Sequence, residues 1–562
     1  MRTPRSTLQL LSCSLVMITG CGDDAGAGAD EGVQAESSTG MPLTSSGEPA
    51  TTTGETPTTG EELPPFEPFP ARGGIKIVRV EGNSGVAVPI GLDGKGVDGP
   101  GRNAFIPGRR NLLIRAYVDV PDDWTARALE ARLTLSGGGV DKVLTQTVTI
   151  TEDSLDSDIA STFYWGVEAV DVVAGLKYQV ELFEAAPGAE MLPEAAVPAI
   201  SPLEGSAYVG VEADLAELRV VLVPVDYKYG TCAALVDGEA QRKTFEDALY
   251  QQNAIENLEF TVHAPYPVDY SMTSYSGLSK LVSAMSQLRT DEGADPNVYY
   301  YALFDNCGGC IGSGDGVMSG CTVGLAADIT GPDENDARYR ASAGQLNKGG
   351  VDTFVHEVGH TQGRRHIECA GAGVQAAGTD PSYPHEDGRI GVWGFGIRDF
   401  SLRHPTVFSD YMSYCGRTWV SDWQWNATYS RIKTLSSWGK SGAGAPKGGG
   451  QTLASGAGVL IGAVDPDGQQ IWWTGPGDLS SARELSATHR VIFEFADGEV
   501  EASAQVSVRA HYATRNIVAR LPADFDGREL MGVRWVDDEG EHPVAPSAIR
   551  RLHSPDRLQA AH

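Results

Sequence analysis

The sequence predicts a multidomain chain in which a central α+β domain, residues 215–438, is flanked by two antiparallel β-sandwich domains, residues 72–214 and 452–562. Three observations predict it. Side-chain polarity alternates every second residue in both flanks, the signature of strands with one face buried. Near residue 217 the pattern changes to near-continuous apolar runs separated by stretches of helical spacing. Residues 439–451 (GKSGAGAPKGGGQ) carry no large apolar side chain, which marks a linker. At about 150 residues per domain, a chain of 562 residues has room for three or four units.

Composition sets outer limits on function. Hydrophobic residues make up 41% and charged residues 21%, ordinary globular usage that excludes a collagen, a coiled coil or a wholly disordered chain. Lys and Arg number 43 against 74 Asp and Glu, a formal charge of −31. Affinity for nucleic acid comes mainly from cations on phosphate, so no nucleic-acid partner is expected. No internal run reaches the roughly 18 apolar residues of a membrane span.

The N-terminus reads as an address. Arg2 and Arg5 precede an apolar stretch from Leu8 to Ile18, which ends in Ile18-Thr19-Gly20-Cys21. A basic start, a short apolar middle and small residues before a cut form the pattern of a secretory signal. The cysteine after the small residues resembles the lipobox of bacterial lipoproteins, which implies removal of residues 1–20, a lipid on Cys21 and anchorage at the cell envelope, at the outer membrane or cell surface. Residues 21–71 are mostly Gly, Ala, Ser, Thr, Glu and Pro and cannot bury enough apolar surface to order themselves, so a flexible tether is expected.

In the first flank the alternating segments are Ile75–Val80, Leu133–Leu135, Val148–Ile150 and Tyr178–Leu182, with turns at Gly137-Gly138-Gly139 and Pro187-Gly188. The last flank repeats the pattern at Val491–Phe495 and Val506–Val508. The turn Asp465-Pro466-Asp467-Gly468 has oxygen ligands for calcium, though a plain hairpin turn is the simpler account of it. Between the flanks, Leu218–Val225 and Tyr299–Phe304 read as buried strands, and residues 240–256 and 277–289 as helices.

Chemistry concentrates in His356-Glu357-Val358-Gly359-His360-Thr361-Gln362-Gly363-Arg364-Arg365-His366. Histidines at i and i+4 share one helix face, so both imidazoles can reach one metal. Gly363 readily takes a positive φ, which ends the helix and lets His366 return to the same ion. Three neutral nitrogens would leave a fourth zinc position open, and Glu357 stands beside it.

This pattern, with Ser409-Asp410-Tyr411-Met412-Ser413-Tyr414-Cys415 downstream, resembles the metzincin zinc peptidases, whose motif HExxHxxGxxH is followed by a methionine turn. The resemblance covers residues 215–440 and makes the central α+β domain metzincin-like. It implies one catalytic zinc on His356, His360 and His366, Glu357 as general base toward water at zinc, and Met412 as an apolar floor. It also implies that Tyr414 stabilises the oxyanion, a buried structural tyrosine being the alternative. Ile367 follows the third histidine where astacins carry Glu, adamalysins Asp, matrixins Ser and serralysins Pro, so the chain fits none of these groups. The runs Gly391–Gly396 and Asp410–Cys415 look like those of secreted bacterial metzincins.

Once Cys13 is removed with the signal and Cys21 is lipidated, six cysteines remain, which in an exported chain predicts three disulfides. Half a zinc site at Cys307-Gly-Gly-Cys310 is disfavoured because no second CxxC follows. The two motif loops meet at the metal in the family, which implies a Cys369–Cys415 bond. His385, His404, Arg364 and Arg365 read as ordinary loop or solvated residues. The expected function is hydrolysis of peptide bonds in extracellular proteins or glycoproteins. The alternative is a non-catalytic surface module that binds glycoproteins and holds zinc for structure.

Overall fold

Period-two alternation becomes strands wherever it runs long enough to bury a face. In Arg127–Gly137, Leu129, Ala131, Leu133 and Leu135 are fully buried while their neighbours face outward. Gly137, Gly138 and Gly139 all have φ between 62° and 89°, the left-handed region, and turn this strand into its antiparallel partner Val140–Ile150. Lys177–Glu184 and Phe69–Pro70 complete the main order of that sheet. A second sheet runs Lys95–Gly96, Ala87–Leu92, Lys76–Asn83, Leu112–Asp119 and Phe163–Val167. The inward faces of the two sheets share one hydrophobic core.

The computed structural model describes residues 66–438, apart from 313–320, 328–330, 348–349, 371–375 and 377, and residues 458–551, apart from 465–469, 477–478, 480–484, 509–514 and 547–548. The signal, Cys21, nearly all of the tether, the linker at 439–451 and the turn Asp465–Gly468 lie outside the described residues.

Beyond residue 216 a mixed sheet forms around the long strand Glu217–Tyr229. Val298–Phe304 lies parallel to it, Ala341–Gln345 parallel to that, and Gly324–Ala326 antiparallel at the edge. Asn257–Val262 and Tyr266–Val268 run parallel on the other side. Among the described residues four α-helices accompany these strands: α1 (Gly238–Gln252), α2 (Tyr275–Asp291), α3 (Gly350–Thr361) and α4 (Asp422–Trp438). Asp237 and Ser274 cap α1 and α2 by accepting from main-chain N–H groups in the first turn. Phe354 anchors α3, packed edge-on against Tyr301 at 4.8 Å and tilted against Phe245 at 5.1 Å.

The last region is one eight-stranded sheet folded on itself. The strand Gly498–Val508 pairs over its first half with Arg490–Phe495 and over its second half with Arg515–Arg520, so it belongs to both faces. Trp472, Val491, Phe493, Ile517 and Trp535 fill the space between.

The predicted fold class is corrected. Strand outweighs helix, 41% against 19% of the described residues, and the region does not stand apart as a metzincin-like α+β peptidase domain between two sandwiches. One continuous core runs from Ala71 through Leu218, Phe354 and Met412 to Leu435. The reason lies between Ile311 and Trp419, where most strands are only two or three residues long and too short to show a period. In the last region the two faces joined through Gly498–Val508 enclose a separate core of their own.

Candidate metal centre

His356 and His360 lie one turn apart on α3, a helix buried over most of its length. Gly363 has φ 83° and ends the helix, its N–H donating to the His360 carbonyl at 2.8 Å. His366 returns on the next extended residues, where it bridges to Thr379 and Ile367 bridges to Ser413. Ligand nitrogens of His356, His360 and His366 all lie within 4.8 Å of one another, a group able to hold a metal ion.

The rings are oriented from behind. His356 Nδ1 donates to the Tyr411 carbonyl at 2.8 Å, and His360 Nδ1 donates to the Arg364 carbonyl at 2.8 Å. A carbonyl only accepts, so each Nδ1 carries the proton and each Nε2 presents a lone pair. His360 Nε2 and His366 Nε2 approach to 3.0 Å. A lone pair aimed at a neighbouring imidazole nitrogen fits a shared cation, and outer hydrogen bonds of this kind typically orient metal-binding histidines. Three imidazoles suit zinc, copper, iron or nickel, so the donor set does not name the metal.

Glu357 is 7% exposed and lies against the edge strand: a β-carbon on Gly324 would come within 2.7 Å of its Oε1. Behind it, the fully buried Tyr301 phenol is pushed well above its ordinary pKa by burial and then by the charge of Glu357. Met412 is fully buried, and its Sδ lies 2.6 Å from where a β-carbon on Gly359 would be. Tyr414 stands at the rim, 37% exposed, with its hydroxyl 3.3 Å from His366 Nε2. That exposure excludes the buried structural tyrosine.

Three disulfides are present among the described residues: Cys232–Cys307, Cys310–Cys321 and Cys369–Cys415. The last ties the His366 loop to the methionine loop, 46 residues apart in sequence. Cys307 and Cys310 go to different partners, which removes them as metal ligands. Such a set belongs to an oxidising compartment. No described helix is long and apolar enough to cross a membrane.

Other residues depart from expectation. Arg364 turns inward, its Nε donating to Gln424 Oε1 at 2.5 Å, so it is not a solvated side chain. Arg365 is exposed as expected. His385 Nε2 lies 2.7 Å from Asp422 Oδ1, and His404 packs its ring against Trp393 at 4.6 Å. Asp410 is a buried residue that the sequence pattern does not single out. Its Oδ1 accepts from the Met412 N–H at 2.9 Å and its Oδ2 from Ser421 Oγ at 2.5 Å, while burial pushes its carboxyl up to about 6. Gly359 is the signal in the sequence for the methionine contact: glycine inside a helix costs stability, and close packing is the usual reason to keep it.

No protein-family model matches the chain, and no curated protein matches it. Among solved structures, a chaperone–substrate complex aligns with 49% of this chain over 39% of its own, at 12% identity and a TM-score of 0.22. A cycloisomaltooligosaccharide glucanotransferase from a Paenibacillus species, solved with cycloisomaltoheptaose, aligns with 42% of this chain over 28% of its own, at 13% identity and a TM-score of 0.14. The chain thus spans less than half the length of either, and neither likeness carries an argument about fold or activity.

Proposed function

We propose that the protein is a zinc-dependent endopeptidase acting on extracellular proteins or glycoproteins. The observation that carries this reading is the convergence of three imidazoles, two of them fixed in the Nδ1–H tautomer, with Glu357 on the same helix. His356, His360 and His366 would hold the ion. Bound zinc supplies a Lewis acid that polarises a carbonyl and lowers the pKa of water toward about 7. The Glu357 carboxylate takes a proton from the attacking water and passes it to the departing amine. The Tyr414 hydroxyl, at the rim beside His366, donates to the developing oxyanion. Met412 excludes water from beneath the rings.

Export completes the reading. The three disulfides support work outside the cytoplasm, and the sequence around Cys21 supports a lipid anchor there. Labelled palmitate should enter the unsubstituted chain and not the Cys21→Ser variant; equal labelling would remove the anchor.

The test of hydrolysis is direct. Purified protein loaded with zinc should cleave casein or a mucin, lose activity to a chelator and regain it with zinc. A fully loaded protein that binds these substrates and leaves them intact would establish the binding-module alternative.

A further inference from the structure

Arg110 is an expensive cation to bury. It is fully enclosed, and its guanidinium donates to four main-chain carbonyls. Nε donates to Ser84 at 3.0 Å, Nη1 to Asn253 and Ile255 at 3.1 Å each, and Nη2 to Gln251 at 3.3 Å. The guanidinium stacks 4.2 Å from the Tyr250 ring centre, with Trp425 at 5.2 Å. Burial lowers its pKa to about 10. A guanidinium placed so deep is costly unless its hydrogen bonds are satisfied. Here four of them gather the C-terminal end of α1 and tie it to the loop after Lys76–Asn83.

The tie continues to the metal centre. Asn253 follows α1 directly, its Nδ2 donating to the Leu249 carbonyl at 3.0 Å. Its Oδ1 accepts from Gln362 Nε2 at 3.1 Å. Gln362 is 2% exposed and stands between His360 and the Gly363 turn. Its main-chain N–H donates to Val358 and Gly359 in the last turn of α3. A second thread arrives from the same loop: the Gly85 carbonyl accepts from Trp419 Nε1 at 2.9 Å, and the Trp419 carbonyl accepts from the N–H of Tyr411, whose own carbonyl orients His356.

We propose that the N-terminal sandwich is a working part of the metal centre, and that Arg110 is a positioning residue which fixes the turn delivering His366 by holding Asn253 against Gln362. This rests on the metal-binding reading of the three histidines and is independent of whether the protein hydrolyses anything. Partners bonded directly to metal-binding histidines typically change metal affinity by about 10–100-fold, and Arg110 acts further out, through Asn253 and Gln362.

The test uses the full chain and two probes, zinc for affinity by chelator competition and cobalt(II) for its absorption spectrum. Arg110→Lys keeps the charge but cannot span four carbonyls; Gln362→Leu cuts the link while leaving the Arg110 cage intact. Each should weaken zinc binding by about tenfold and alter the cobalt(II) bands. The pair should do no more harm than the worse single change, because both act through one thread. A purely structural arginine would lower the melting temperature and leave both affinity and spectrum of the folded protein unchanged, which would overturn the proposal. Additive losses in the pair would overturn it as well. If Arg110→Lys fails to fold, Gln362→Leu decides alone. Loss of histidine-dependent binding in the unsubstituted chain is a separate result, and would overturn the metal-centre reading first.

Discussion

Gly359 and Met412 touch without room for a methyl group between them: a β-carbon on the glycine would sit 2.6 Å from the sulfur and 2.7 Å from the Tyr411 ring. Alanine is the better helix former by about 1 kcal/mol. The contact nevertheless predicts that Gly359→Ala destabilises the protein by about 1–3 kcal/mol, because overpacking must displace the methionine loop. The same displacement pulls the Tyr411 carbonyl from His356, so metal content should fall with the urea midpoint. An unchanged midpoint would show that the loop yields freely.

Glu357 sits beside the ligands without belonging to the metal-binding group. Glu357→Gln should retain one equivalent of zinc and lose peptide hydrolysis, by about a thousandfold on the usual scale of general-base catalysis. Metal analysis and an activity assay on the same sample check it. His366→Ala should behave differently and lose the metal itself.

The Tyr414 hydroxyl stands 3.3 Å from His366 Nε2 on a residue that is 37% exposed. Tyr414→Phe should lower kcat by about a hundredfold with little change in KM, the mark of an interaction made in the transition state. Zinc content should stay constant. A rise in KM alone would assign the hydroxyl to substrate binding.

The Cys369–Cys415 bond crosses the two loops that orient the rings. Replacing both cysteines with alanine should cost about 2–4 kcal/mol in unfolding free energy. It should also raise the zinc dissociation constant, since the His366 loop and the Tyr411 carbonyl then lose a covalent tie and keep hydrogen bonds such as Ile367 N–H to Met412. Equal zinc affinity with and without the bond would confine its effect to stability.

Asp410 gives a pH signature. Its buried carboxyl titrates at about 6 in the native state, above the ordinary 3.8. The native form therefore binds more protons than the unfolded chain between those values, and this group's contribution to stability falls as pH rises through that window. Asp410→Asn should remove the effect. Relative to the unsubstituted protein, the variant should gain up to about 3 kcal/mol between about pH 3.5 and 7.5, read from urea midpoints at both ends. A difference that stays constant with pH would show that Asp410 titrates normally.

What is legible in the sequence is what is local in it. The histidine motif is one short unbroken run, and helix geometry plus one glycine turn suffice to bring its rings together. Long alternating strands such as Arg127–Gly137 and Lys177–Glu184 declare themselves through their own period. Contacts across the chain leave no such trace. Arg110 meets Asn253 across 143 residues, and Asn253 meets Gln362 across 109. Neither pairing follows from composition or spacing. The inward turn of Arg364 is hidden for the same reason: its acceptor, Gln424, is 60 residues away.

A core assembled from residues as distant as Ala71 and Leu435 has a consequence for biogenesis. α4 packs on Glu217–Tyr229 and, through Trp425 and Tyr429, on Phe105 of the N-terminal region, so these surfaces wait for most of the chain to emerge. Folding dominated by such late, non-local closure is slow and leaves sticky surface open to aggregation. A protein built this way needs protection during synthesis, and a truncation that removes α4 should leave one side of Glu217–Tyr229 uncovered, yielding inclusion bodies in place of a smaller soluble fragment.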